Sequence, residues 1–213
     1  LKRRKGLNFM INDQESLQEA VAHACKEESD LRGAEFSGES AAGEKFSGIG
    51  FHGCRFDGCR LAECRAENIY WEDTVFRNCD FSNAVFTGCC FRRVRWENCK
   101  MLGLSLPDAV LDHAEFSGCT CRFLSLSAAK LKAVRFAGCD CSDGSFQECT
   151  LKSVQFGGCN LSRSDFLHTP LKGINLTDDE IGGIVLSGPE LRGAVVTMMQ
   201  ACDLSRYLGL VIQ

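Results

Sequence analysis

The stretch Phe76-Arg77-Asn78-Cys79-Asp80-Phe81-Ser82-Asn83-Ala84-Val85-Phe86-Thr87-Gly88-Cys89-Cys90-Phe91 sets a phenylalanine at every fifth position. The register runs outward in both directions. From Leu31 to Val196 every fifth residue is apolar, 34 positions without a slip, and 13 of the 15 phenylalanines fall on them. A period of five is neither the 3.6 of a helix nor the 2 of a strand, so each unit must join a short extended piece to a corner.

The flanking positions divide each unit. Two residues before the centre lies a small or aliphatic residue, such as Ala34, Cys54, Cys79, Ala84, Cys119 or Val134. That spacing turns both side chains inward, and the residue between them faces out, as with Arg55, Asp80 and Lys130. Two residues after the centre come Gly33, Gly38, Gly53, Gly88, Gly118 and others, or Asn68, Asn78, Asn83 and Asn98. Glycine and asparagine tolerate the positive φ that the third residue of a type II turn requires. Cys59, Cys79, Cys99, Cys119, Cys139 and Cys159 recur every 20 residues, which makes four sides per coil. The 34 units then form about 8.5 coils, and at the roughly 4.8 Å strand spacing a rod about 40 Å long.

This pattern resembles the pentapeptide-repeat family, whose unit is nearly intact in Ala34-Glu35-Phe36-Ser37-Gly38 and Cys159-Asn160-Leu161-Ser162-Arg163. The resemblance implies an all-β solenoid, a right-handed quadrilateral β-helix. The expected organisation is a basic arm and capping helix over residues 1–28, the β-helix over 29–196, and a C-terminal helix and tail over 197–213. The arm is Lys2-Arg3-Arg4-Lys5, and the chain begins at Leu1, so further residues are expected to precede it. Open solenoid ends expose unpaired backbone and need caps. Ser16 with Glu19 fits a capping box, and Leu17, Ala20, Val21 and Ala24 predict a helix over roughly residues 13–28. At the other end Met198, Met199, Ala201, Leu204, Tyr207 and Leu208 predict a short helix ending at Gly209.

Composition excludes much else. The net charge of -4 argues against general nucleic-acid binding, which needs a basic surface, and no apolar run is long enough for a membrane span. A cytoplasmic protein is expected, with no nucleic acid, membrane or small-molecule substrate among its partners. The 15 cysteines invite a metal or disulfide reading, and Cys54, Cys59 and Cys64 even suggest a cluster. Those three fall on different sides of the coil, however. Stacked Cβ atoms at about 4.8 Å are also wider apart than a disulfide prefers. Reduced, metal-free core cysteines are expected, with Cys90 the exposed reactive thiol. His52, His113 and His168 fall at outward or corner positions, expected to be solvated. No nucleophile elbow, phosphate loop or clustered acid pair is present, so neither catalysis nor a cofactor is expected.

The segment Leu204 to Ile212 is similar to the ending of the Qnr-type quinolone-resistance branch, which forms a two-fold dimer there. That resemblance implies a homodimer through Leu204, Tyr207, Leu208, Leu210, Val211 and Ile212. It also implies a non-enzymatic DNA mimic that binds DNA gyrase or topoisomerase IV and protects it from fluoroquinolones. The unbroken register carries no projecting loop, unlike the Gram-negative Qnr members, so no loop-based mechanism is carried over. The alternative is a general scaffold of the family with another partner. Position within the 20-residue coil sorts the charges by side. The side of Leu31, Phe51 and Trp71 carries 8 bases against 5 acids. The two sides of Leu61 and Phe81 and of Phe46 and Phe86 carry 6 bases against 12 acids. Their C-terminal half sets Asp140, Asp143, Glu148, Asp165, Asp179 and Glu180 against Arg163, and this acidic corner is the expected partner-binding site.

Overall fold

The computed structural model describes residues 16–210. Its body is an all-parallel β-solenoid in which residues 20 apart pair from coil to coil. On the first side Leu31, Phe51, Trp71, Phe91, Leu111, Leu131 and Leu151 stand in register. On the second, Phe36, Phe56, Phe76, Trp96, Phe116, Phe136 and Phe156 do the same. The third side, of Leu61, Phe81 and Met101, pairs only through single bridges such as Arg60↔Asp80 and Asp140↔Asn160. The fourth, of Phe46, Ala66 and Phe86, has three paired strands and then bridges.

Seven paired strands on each of the first two sides make about six turns of regular ladder, fewer than the 8.5 coils counted in the sequence. Beyond them single bridges continue as far as Asn175↔Val195. Proline explains where the first side stops. Lys130 N–H donates to Ala109 and Thr150 N–H to Ala129, but the next residue in that column is Pro170, which has no N–H to give.

The corners carry the positive φ that glycine and asparagine foretold, for example Gly53 at 65° and Asn78 at 52°. The same backbone is imposed on Glu63, Asp73, Arg93, His113 and Phe123, at 52° to 61°. An L-residue there costs about 1 kcal/mol, so coil closure and pairing override local preference. Between residues 33 and 193 two corners depart from this conformation, Asp178, which has no positive φ, and Gly188, at 112°.

Inside, the centres stack on their counterparts one coil away. Phe51 and Trp71 lie 4.0 Å apart at 9°, Trp96 and Phe116 4.4 Å at 10°, and Phe146 and Phe166 4.8 Å at 2°. The cysteine column is buried and all 15 thiols are free. Four of the column thiols have a use that the repeat alone did not reveal. Cys59, Cys79, Cys99 and Cys119 donate to the carbonyls of Phe36, Phe56, Phe76 and Trp96, the centres 23 residues earlier, at 3.4 to 3.6 Å. Where a hydroxyl replaces the thiol it makes the same bond, as Thr74 does to Phe51 and Ser164 to Cys141.

Helix α1, Leu17–Lys26, closes the first coil and buries Leu17, Ala20, Val21 and Ala24. It starts later than the expected residue 13, because Ser16 is the cap. Its hydroxyl accepts from Glu19 N–H, while the Glu19 carboxylate accepts from Ser16 N–H at 3.0 Å. Residues 13–15 and the Lys2–Lys5 arm lie outside the described residues. At the other end Thr197 and Gln200 form a second capping box for α2, Met198–Leu204, and a 3-10 turn over Ser205–Leu208 ends at Gly209. Because the inward thiols bond the backbone, Cys99→Ala should cost about 1 kcal/mol, seen as a melting temperature lower by about 2–4 °C. Cys99→Thr should recover most of the loss.

Candidate docking site

The six acidic-corner residues do not form one surface. Asp143 sits at a corner and takes a two-pronged ion pair from Arg163 at 2.6 and 2.8 Å, with Arg122 at 3.6 Å on the same carboxylate. Arg163 holds that carboxyl below its ordinary range, and its charge is spent inside the rod's own surface. Asp179 is a plain correction. It is only 6% exposed, not outward. It occupies the inward slot two residues before Ile181 and so ends the cysteine column, a placement the repeat rule itself implied. Its Oδ1 accepts the Cys159 N–H at 2.7 Å, its Oδ2 is buried without a partner, and burial raises its pKa.

Four acids remain without an ion pair among the described residues. Asp140 and Asp165 are half-buried, and each accepts from the backbone two residues on, at Ser142 and Leu167. Gln147 also donates its side-chain amide to Asp165. Glu148 and Glu180 are exposed. The opposite, first side is polarised the other way. Lys132 pairs with Asp112, and Arg92 and Arg93 with Glu72, which leaves Lys130, Lys152, Lys172 and Arg192 without an ion pair among the described residues.

Two further expectations change. His52 is not solvated: its ring nitrogens lie 3.2 Å from Glu72 and 3.2 Å from Asp30, which ties three coils together. Gly50 makes room for it, since a Cβ there would stand 2.7 Å from the imidazole. Cys90 is half-buried, with burial pushing its thiol pKa up, whereas Cys202 is the exposed cysteine. Among the described residues no three His, Cys, Asp or Glu side chains converge as a metal site.

The C-terminal end carries the second surface. Leu204 is buried and Tyr207 half-buried with its hydroxyl donating to the Ile184 carbonyl, so both cover the last coil of their own chain. Leu210 is 58% exposed. The Leu208 side chain, Val211 and Ile212 lie outside the described residues. The sequence reading did not single out Met198 and Met199 for this surface, yet they are 83% and 76% exposed on α2. Between α2 and the last coil runs an open groove of about 630 Å³ past Pro189, Leu191, Val196, Leu204, Tyr207 and Leu210. Sequence reasoning also passed over Phe123, 52% exposed at a corner beneath the Arg122 guanidinium. Its signal was an aromatic residue in a slot otherwise given to glycine, asparagine, alanine and polar residues.

The pentapeptide repeat region family model matches residues 49–121 and 89–166, more than half of the chain. The chain belongs to the pentapeptide-repeat family. No curated protein matches it by sequence. Among solved structures, it is similar to full-length QnrB1, a plasmid-mediated fluoroquinolone resistance protein, at 20% identity. The match covers 85% of this chain and 100% of that one, with a TM-score of 0.45. It is also similar to HetL, involved in heterocyst differentiation regulation in the cyanobacterium Nostoc sp. strain PCC 7120, at 14% identity. There the coverage is 85% and 95% and the TM-score 0.42.

Two buried carboxyls of this pentapeptide-repeat chain should respond oppositely to substitution. Glu190 accepts from Ser187 and His168 N–H, both at 3.0 Å, and its pKa is lowered to about 2. A lowered folded pKa stabilises above the unfolded value near 4.5 and is lost as pH falls through 2. Glu190→Gln should therefore lower the melting temperature at pH 7, with the gap closing as the pH falls from 4.5 toward 2. Asp179, with a raised pKa, is destabilising once ionised, so Asp179→Asn should melt higher at pH 7 and match the parent in acid.

Proposed function

We propose that this pentapeptide-repeat chain is a non-enzymatic protein-docking rod of the cytoplasm, whose partner is the DNA-binding surface of a bacterial type II topoisomerase. Family membership supports the scaffold role. The observation that carries the finer reading is the set of acids without an ion pair on consecutive coils, Asp140, Glu148, Asp165 and Glu180, on the third and fourth sides rather than the lysine-rich first. Such a face is drawn to a basic, DNA-binding groove. The similarity of Leu204 to Ile212 to the Qnr ending supports the same partner. Imitation of DNA is local. A duplex carries one charge per roughly 1.7 Å, so a rod of about 40 Å would need about 24 negative charges. The whole chain has a net -4.

A homodimer through the C-terminal end belongs to this reading. Met198, Met199 and Leu210 are exposed beside the apolar groove, and a two-fold axis there would cover them and double the acidic face. A general scaffold with a different partner is the competing reading.

Supercoiling and fluoroquinolone-inhibition assays with purified gyrase and topoisomerase IV decide between them. The topoisomerase reading expects altered supercoiling or relief of drug inhibition, and no effect on either enzyme rejects it. Asp140→Lys, Asp165→Lys and Glu180→Lys together should weaken gyrase binding and its salt sensitivity, with circular dichroism unchanged. Lys152→Glu and Lys172→Glu should do far less. Met198→Glu with Met199→Glu should give monomers in light scattering, and an unaltered dimer would place the interface elsewhere.

A further inference from the structure

The 13 phenylalanines on the five-residue register are buried and packed ring against ring. Phe123 is the exception among the described residues. It occupies a corner, at φ 57°, where every other side chain in the same column is glycine, asparagine or charged: Gly43, Glu63, Asn83, Gly103, Asp143, Arg163 and Gly183. Coil closure imposes the left-handed region on this corner as on the others, and a bulky aromatic ring is a strained occupant of it. Phe123 gives the fold little in return, being 52% exposed with no ring packed against it.

The ring is nevertheless held. The Arg122 guanidinium lies 5.3 Å from its centroid. Arg122 is itself drawn to Asp143 at 3.6 Å, and Asp143 is clamped by Arg163. This chain of contacts orders the ring before any partner arrives, which reduces the side-chain entropy lost on binding. Half-buried Leu102 stands one coil below Arg122 and extends the apolar surface.

We propose that Phe123 is the apolar anchor of a protein-docking site and that its partner offers an apolar pocket rimmed by basic residues. The convex corner calls for a concave partner, and an exposed aromatic with a stacked arginine has the composition of an interface hot spot. The charge of the rim follows from the surroundings. Arg122 and Arg163 are both drawn to Asp143, while Asp140 and Asp165 on the adjoining sides have no ion pair among the described residues, so three acids face two arginines and the surface around the ring is net acidic. A basic rim also fits poorly with the anchor seating in the acidic surface of another copy. The proposal rests on the topoisomerase reading for the identity of the partner and adds the place of contact.

The test is binding of purified gyrase to the full chain and to Phe123→Gly, Phe123→Ala and Phe123→Tyr, each with its melting temperature. Phe123→Gly should melt about 2–4 °C higher, since glycine relieves the corner, yet bind about 10-fold to 100-fold more weakly. Phe123→Ala should weaken binding alike, and Phe123→Tyr should retain it. The loss should persist at high salt, unlike the effect of reversing Asp140, Asp165 and Glu180, because an apolar contact is not screened. Equal binding by Phe123→Gly and the parent overturns the anchor and leaves the topoisomerase reading standing. A lower melting temperature for Phe123→Gly makes Phe123 a structural residue and also overturns it. If the parent chain does not bind gyrase, the topoisomerase reading fails and this contact with it.

Discussion

Every feature of this molecule depends on a corner of positive φ at each fifth residue, closed by backbone hydrogen bonds to residues 19 positions on, in the next coil. Gly53 N–H donates to Glu72 at 2.9 Å and Asn78 N–H to Glu97 at 2.9 Å, and comparable bonds recur along the rod. Between corners only three residues are extended, too few for a strand to wander from register. The interior is then a stack of columns, each lined by one type of slot. Because a coil touches only its neighbours, stability is close to a sum over coils and interfaces between them. A local change should stay local, which leaves the outer surface free to vary.

That surface is ordered by the same 20-residue step. Arg77 with Glu97, Arg93 with Asp73, Arg135 with Glu115 and Arg163 with Asp143 are all neighbours on successive coils. Exposed pairs of this kind contribute roughly 0–1 kcal/mol each. Their larger effect is to cancel charge along the rod. In the C-terminal half the charge without an ion pair is sorted by side, lysines on one and Asp140, Glu148, Asp165 and Glu180 on two others, and long-range attraction to a partner would originate there.

The ends are where the repeat gives way. Pro170 interrupts the first column, Asp178 leaves the common corner conformation, and Asp179 fills the slot of a cysteine. Polar side chains then take over backbone satisfaction. Glu190 accepts N–H groups of the last coils, and Gln200 donates to the Leu176 and Asp179 carbonyls at 2.7 and 2.9 Å. A solenoid can stop only where such groups replace the next coil.

The five-residue register, the four sides, the inward cysteines and the Ser16–Glu19 capping box were legible in the sequence, because each depends on contacts at a constant step. Even the burial of Asp179 was implied by its slot, although its charge suggested the surface. Features set by side chains reaching across coils could not be read this way. Asp143 is lost to Arg163, and His52 is held between Asp30 and Glu72, through partners 20 to 22 residues away whose rotamers no periodicity specifies. The thiol bonds to the centres' carbonyls also emerged only from the fold. So did the exposure of Phe123 and Met198. Position in the repeat decides whether a side chain points in or out, and only the assembled coils decide whether an outward side chain finds a partner.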